Sequence, residues 1–384
     1  MENKNQPKLS IILPCHNEEQ SIQKCISDIQ NELNGKLNFE IVVVNNNSDD
    51  FSGEILKKMK ETNPNLKVFF EKKIGYGSAC NRGFKEALGK YLLLMDIDQT
   101  YPVEKIMDFV SELDKSSEFV IGNRFTGEIK KGAMPALHQF IGNPLLSFIL
   151  RLFFKTKVRD SHCGMRAIRK KCYEKLNLRT TGMEFASEMV IKVLREKLRI
   201  SEIAISYHPR IGESKLKSFR DGWRHLRFML LYSPNYLFFV PGIICFSVGI
   251  ISMIVLYFTN LKVVGLTLID HPIFVFSLLV IIGYQLIIFA GFAKAYAINH
   301  LEEKNELLDK IFKYISIEKA STIGLLGIIF GLIIYFLILR KWINSDFGAL
   351  NEIKSAVIGF TFIVIGVQTI SSAFMLSILS IKER

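Results

Sequence analysis

The chain has no cysteine pattern suited to a metal. Its six cysteines, Cys15, Cys25, Cys80, Cys163, Cys172 and Cys245, lack metal-ligand spacing, so free thiols are expected. It has no P-loop, and Gly75-Tyr76-Gly77 falls short of the full Gly-x-Gly-x-x-Gly spacing, which argues against an NTPase or a dinucleotide oxidoreductase. The formal charge of +12 comes without any nucleic-acid-binding motif. The basic residues gather where the chain would meet a membrane, so anionic lipid is the simpler partner and nucleic acid is not expected. Met1 to Lys8 is polar and reads as no cleavable signal peptide, which predicts a first domain that stays in the cytoplasm.

Charge is also missing from four long apolar runs, 237–258, 273–293, 320–339 and 356–381. Each is near the roughly 20 residues that cross a bilayer. Four such runs behind a charged half predict an α-helical membrane domain over 236–384. The 259–272 loop carries only Lys262, whereas the 294–319 loop carries Lys294, Lys304, Lys310, Lys313 and Lys319. That asymmetry puts the first domain and the second loop on the cytoplasmic side of a multi-pass protein of the cell membrane. Arg340 and Lys341 then fall at the outer face, where they can snorkel to headgroups.

What is present before residue 235 alternates strand and helix. Leu9–Leu13, Phe39–Val44, Leu66–Phe70 and Tyr91–Met95 are short apolar runs ending in polar residues. Helices are read from Asn17-Glu18-Glu19, from Ser52 and from Gly75 to Leu88. The alternation predicts an α/β domain with a parallel sheet over 1–218. Its polar strand ends, Pro14 to Glu18, the Asn45 cluster and Asp96-Ile97-Asp98, would stack along one edge. Paired carboxylates there suit Mg²⁺ or Mn²⁺ clamped on a diphosphate. A further strand ends at Arg124, a bidentate partner for phosphate. Asp160 to Arg166 reads as a charged turn before a basic helix start at Arg169–Lys171. Glu188 reads as a base or as a buried partner of Arg166, and Ile203–Tyr207 as the last strand-like run. Residues 219–235 interleave basic and aromatic residues, as an amphipathic helix lying in an interface does. The apolar block 127–154 suggests either a core helix or contact with lipid.

Taken together, Pro14-Cys15-His16-Asn17-Glu18, Val44-Asn45-Asn46-Asn47-Ser48-Asp49, Gly75-Tyr76-Gly77, Asp96-Ile97-Asp98, Gly122-Asn123-Arg124, Asp160 through Arg166 and Gly212-Glu213-Ser214-Lys215-Leu216 resemble the family 2 glycosyltransferases of the dolichol-phosphate mannose synthase type, the polyprenyl-phosphate glycosyltransferases. The resemblance covers about residues 9–231. It implies a GT-A, Rossmann-like nucleotide-diphospho-sugar transferase domain. The implied reaction is inverting transfer of one sugar from a nucleotide-sugar, GDP-mannose or a UDP-hexose, to a dolichyl or undecaprenyl phosphate at the cytoplasmic face. It further implies that Pro14, Cys15, His16, Asn17, Glu18, Asn45, Asp96, Ile97, Asp98 and Arg210 bind the donor, with Mg²⁺ or Mn²⁺ on Asp96 and Asp98. Arg124, His138 and Lys215 would meet the acceptor phosphate, and Asp98 and Arg124 would serve catalysis. Asn45 stands where the family usually has aspartate, and Thr100 where the mannose synthases have a metal-binding glutamine, with Gln99 one residue early. A processive polysaccharide synthase and an inactive membrane adaptor or flippase subunit are the alternatives, and a homo-oligomer stays open.

Overall fold

The structure, a computed structural model, describes residues 6–212, 218–259, 261–263, 266–268, 272–300 and 317–379. The chain forms two compact units, Met1–Met229 and Leu230–Arg384.

The first unit is built on seven strands, β1 (Leu9–Cys15), β2 (Phe39–Asn45), β3 (Leu66–Phe70), β4 (Tyr91–Leu94), β5 (Phe119–Asn123), β6 (Arg166–Arg169) and β7 (Ile200–Ala204), in the order β3-β2-β1-β4-β6-β5-β7. Ile11, Ile12, Val42, Val43, Leu92 and Leu93 are fully buried, as a sheet covered on both faces requires. The helices are α1 (Ile22–Leu33), α2 (Ser52–Thr62), α3 (Tyr76–Glu86), α4 (Ile106–Lys115), α5 (Asn143–Phe154), α6 (Lys170–Leu176), α7 (Phe185–Arg195) and α8 (Ser218–Leu231).

The sheet differs from the parallel one expected. β6 runs antiparallel to both β4 and β5, while β1, β2, β3 and β4 are parallel to one another, as is β7 to β5. Four residues with arginine at both ends hide β6 from any apolar pattern. The last strand-like run is also shifted: β7 ends at Ala204, and Tyr207 instead bridges Ile129. Helix α1 begins at Ile22 rather than at Asn17. The backbone N–H groups of Asn17, Glu18 and Glu19 are taken by Ser48 Oγ (3.0 Å), Ser52 Oγ (2.9 Å) and Asp50 Oδ2 (3.1 Å), so these residues form a braced loop.

The apolar block before residue 155 is not a core helix. Around α5, Phe140, Ile141, Leu145, Phe148 and Leu152 are exposed, and only Ser147 and Leu150 of the helix are buried. Such an exposed apolar face is what an interfacial helix would present.

The second unit holds four helices of bilayer length, Asn235–Phe258 (a π-turn followed by α9, Val240–Phe258), and segments within α10 (Pro272–His300), α11 (Ile317–Asn344) and α12 (Ile353–Leu379). They match the four runs expected, with ends moved by a few residues. A two-strand hairpin, β8 (Leu261–Val263) and β9 (Leu266–Leu268), follows α9. α11 and α12 meet through glycine: a Cβ on Gly366 would lie 2.5 Å from the Gly324 carbonyl oxygen, so these backbones approach as only small residues permit. α10 and α12 are joined by polar pairs, Ser277 with Thr361 (2.7 Å), Tyr284 with Thr369 (2.5 Å) and Gln368 donating to Gln285 (3.0 Å).

Candidate active site

The carboxyl ends of β1, β2 and β4 lie on one edge because the strands are parallel and in register, with Cys15 opposite Asn45 and Ile12 opposite Leu94. The loop after β1 is held by the loop after β2. Asn17 exchanges hydrogen bonds with Asp49, its Nδ2 donating to Asp49 Oδ1 and its Oδ1 accepting the Asp49 N–H (2.9 Å). His16 Nδ1 lies 2.9 Å from the Asn46 carbonyl oxygen. Asn45 Oδ1 accepts the Ser48 N–H at 3.0 Å, a local side-chain bond that bends the chain after β2.

Asp96 and Asp98 follow β4 and are held differently. Thr100 donates its hydroxyl (2.6 Å) and its N–H (3.2 Å) to Asp98 Oδ1. Thr100 is thus a brace for Asp98, while Gln99 takes a left-handed φ of 66° and buries an Nε2 without a partner among the described residues. Asp96 accepts the Tyr76 hydroxyl at 3.2 Å, and burial together with neighbouring Asp98 pushes its carboxyl up to about 7.

Arg210 closes the cluster. Its Nη2 donates to Glu18 Oε1 at 2.9 Å and lies 3.5 Å from Asp98 Oδ2. The Ile211 N–H and the His208 N–H bind the carbonyls of Asp98 and Thr100, both at 3.0 Å, and this lays the 208–211 segment on the acidic turn. Glu18, Asp98 and Arg210, residues far apart in sequence, therefore meet. Two carboxylates on one guanidinium, with Asp96 two residues before Asp98, leave a site rich in hard oxygens. Among the described residues no three His, Cys, Asp or Glu side chains converge as a complete metal cage. Two carboxylates with open positions suit Mg²⁺ or Mn²⁺, which keep waters and substrate phosphate oxygens as their remaining ligands.

Arg124 is held by a different carboxylate. Its Nε (2.7 Å) and Nη2 (2.8 Å) form a fork on the Asp160 carboxylate, and both side chains are buried. Burial works against the Arg124 charge, and Asp160 more than offsets it. His138 begins a π-turn and is half-buried. Lys215 lies outside the described residues. Glu188 is not the partner of Arg166: it accepts the N–H groups of Arg179 and Thr180 and pairs with Lys192 at 2.8 Å. Arg166 donates instead to the carbonyls of Cys163 and Ala186.

Two groups of residues escaped the sequence reading. Tyr76 was visible only as the middle of a glycine pair, yet it orients Asp96. The glycines serve another purpose: a Cβ on Gly77 would come 2.5 Å from the Thr180 carbonyl oxygen, so the 180–182 loop can seat on α3 only if that position is bare. Gly77→Ala is expected to destabilise this unit by about 1–3 kcal/mol through overpacking. Denaturant unfolding measures it, and an unchanged midpoint would show that the loop is free to move away. The second group is a buried chain running from α5 to α8, Ser147 to Ser161 (3.1 Å), Ser161 to His162 (2.9 Å), His162 to Ser187 (3.2 Å) and Ser187 to His225 (2.8 Å). Burial holds His162 well below the usual histidine range and lowers His225 to about 4, so both rings are neutral.

Comparison with known proteins gives the following matches. The family model described as glycosyl transferase family 2 matches residues 10–176, and that described as glycosyltransferase family 2 C-terminal transmembrane region matches 291–380. The low-salt glycan biosynthesis hexosyltransferase Agl6 of Haloferax volcanii is 35% identical over 373 residues, covering 96% of this chain and 88% of the relative. A dolichol-phosphate mannosyltransferase of Pyrococcus furiosus is 32% identical over 212 residues, 55% of this chain and 59% of its own. A solved glucosyl-3-phosphoglycerate synthase from Mycobacterium tuberculosis aligns over 59% of this chain and 80% of its own, with a TM-score of 0.46 at 16% identity.

Proposed function

Because the chain belongs to glycosyltransferase family 2 and ends in that family's transmembrane region, we propose that it moves one hexose from a nucleotide-sugar to a polyprenyl phosphate at the cytoplasmic face of the cell membrane. The observation that carries this reading is the meeting of Glu18, Asp98 and Arg210 beside Asp96 at the strand edge, in a chain with four bilayer-length helices.

The acceptor phosphate is already anionic at neutral pH, so no strong base is needed. The work is to bring two polyanions together and to stabilise the diphosphate that leaves. Pro14 to Glu18 and Asn45 line the nucleotide side of the edge. Asp96 and Asp98 would hold Mg²⁺ or Mn²⁺, which supplies positive charge to the leaving diphosphate when bound. Arg210, poised between Glu18 and Asp98, offers a second cation to the same phosphates. Arg124 keeps its charge through Asp160 and, with His138 and Lys215, serves the acceptor phosphate. An isoprenoid tail must stay in lipid while its phosphate reaches this edge, which accounts for the membrane helices and for the apolar face of α5.

The test is the full-length protein in detergent with GDP-mannose and UDP-hexoses, labelled in the sugar, and dolichyl or undecaprenyl phosphate. Label is expected in the extracted lipid with Mg²⁺ or Mn²⁺, and not with chelator. Label only in a water-soluble polymer, or in none of these products across the donor panel, would overturn the proposal.

A further inference from the structure

The 180–182 loop is one of the most firmly seated pieces of the first unit. Thr181 O accepts the Ser78 N–H at 3.2 Å, Thr180 O accepts Asn81 Nδ2 at 3.1 Å, and Glu188 takes the N–H groups that precede them. Yet the two side chains that flank this loop hold polar atoms with nothing to bond. Glu184 Oε2 and Ser78 Oγ are both buried, and neither has a hydrogen-bond partner among the described residues. Their places are fixed by close contacts. A Cβ on Gly182 would lie 2.4 Å from Glu184 Oε2, so the carboxylate folds back over Gly182, and a Cβ on Gly75 would lie 3.7 Å from Ser78 Oγ. Residue Tyr76, next to Gly77, donates to Asp96, and its ring meets that of Phe185, the neighbour of Glu184, edge-on at 6.3 Å. The two unmet acceptors thus belong to the wall that also positions Asp96.

A buried acceptor without a donor is costly, so in a native fold it is completed by water, an ion or a ligand, and beside a substrate site the ligand is the natural candidate. The chemistry of the missing group follows from the atoms. A carboxylate repels phosphate, which brings only acceptors, whereas hydroxyls bring donors. On a nucleotide-sugar, the hydroxyl-rich part beyond the diphosphate is the sugar. Resting on the donor reading above, we propose that Glu184, seconded by Ser78, accepts hydrogen bonds from ring hydroxyls of the transferred hexose and so sets which sugar is taken.

The experiment compares two ligands on the full-length protein in detergent with Mn²⁺: the nucleoside diphosphate alone and the same nucleotide carrying its hexose. Glu184→Ala is expected to weaken nucleotide-sugar binding by about 10-fold or more, the loss of a hydrogen bond to a charged group, and to leave nucleoside diphosphate binding within about two-fold of wild type. Glu184→Gln, which keeps one acceptor and the volume, should recover part of the loss and protects the test if the alanine variant folds poorly. Donors lacking single hydroxyls add a second arm. The deoxy-sugar that loses the contacted hydroxyl should bind the wild type weakly and bind Glu184→Ala no worse than the full sugar does. Equal losses for both ligands would make Glu184 a structural residue, and no loss for either would remove it from the site. A wild-type protein that binds no nucleoside diphosphate would instead overturn the donor reading, and this assignment with it.

Discussion

Asp98→Asn is expected to lower hexose transfer by at least about 100-fold, in the range for removing a charged group that acts on the transition state, while the protein stays folded and membrane-bound. Asparagine has the same volume, and its Oδ1 can still accept the Thr100 hydroxyl that lies 2.6 Å away. What it loses is the negative charge facing Arg210 at 3.5 Å and one of two oxygens suited to a hard cation. Transfer to polyprenyl phosphate at saturating Mn²⁺ measures the effect, with gel filtration and circular dichroism as the check on folding. More than a tenth of wild-type turnover would remove Asp98 from the metal site. Asp96→Asn should act chiefly on the apparent KM for the donor.

The largest stability effect is expected at Asp160. Its carboxylate is fully buried and receives three hydrogen bonds from Arg124, two from the guanidinium and one from the backbone N–H at 3.1 Å. Asp160→Ala strands a buried guanidinium, and breaking such a pair from one side costs about 3–5 kcal/mol. Asp160→Asn retains an acceptor and should cost less. Denaturant unfolding in detergent orders the three proteins, and a loss below about 1 kcal/mol for alanine would mean that Arg124 finds water or another partner. Transfer should fall with Asp160→Asn even where the fold survives, since the fork is what aims Arg124.

How much of this was legible in the sequence depended on whether the information was local. Pro14 to Glu18, Asn45 and Asp96 to Asp98 could be found because each interrupts a buried apolar run, and parallel strands bring such interruptions to one edge. The bilayer helices were legible for the same reason, as long stretches with no charge. The fork between Arg124 and Asp160 was not legible, although both residues were noticed, because nothing local shows which buried carboxylate holds an arginine 36 residues away. Glu188 shows the same limit. It was read as a base or as a partner of Arg166, whereas backbone N–H groups and Lys192 hold it. β6 was missed because a four-residue strand with an arginine at each end has no period to read, and its reversed direction comes from the sheet and not from its own residues.

The polar pairs between α10 and α12 have a mechanical consequence. Both helices run the same way through their contact, since Ser277 meets Thr361 and, about two turns further along both helices, Tyr284 and Gln285 meet Thr369 and Gln368. Apolar surfaces alone would let two such rods slide or roll past each other with little change in contact. Here a slip of one helical turn, about 5.4 Å, would part all three pairs together and leave Ser277, Tyr284, Gln285 and Gln368 seeking partners in hydrocarbon, while Thr361 and Thr369 keep their bonds to the Val357 and Ile365 carbonyls. The pairs act as teeth of a rack, and they make α10 and α12 a single stiff stave, so motion within this bundle must be carried by joints elsewhere.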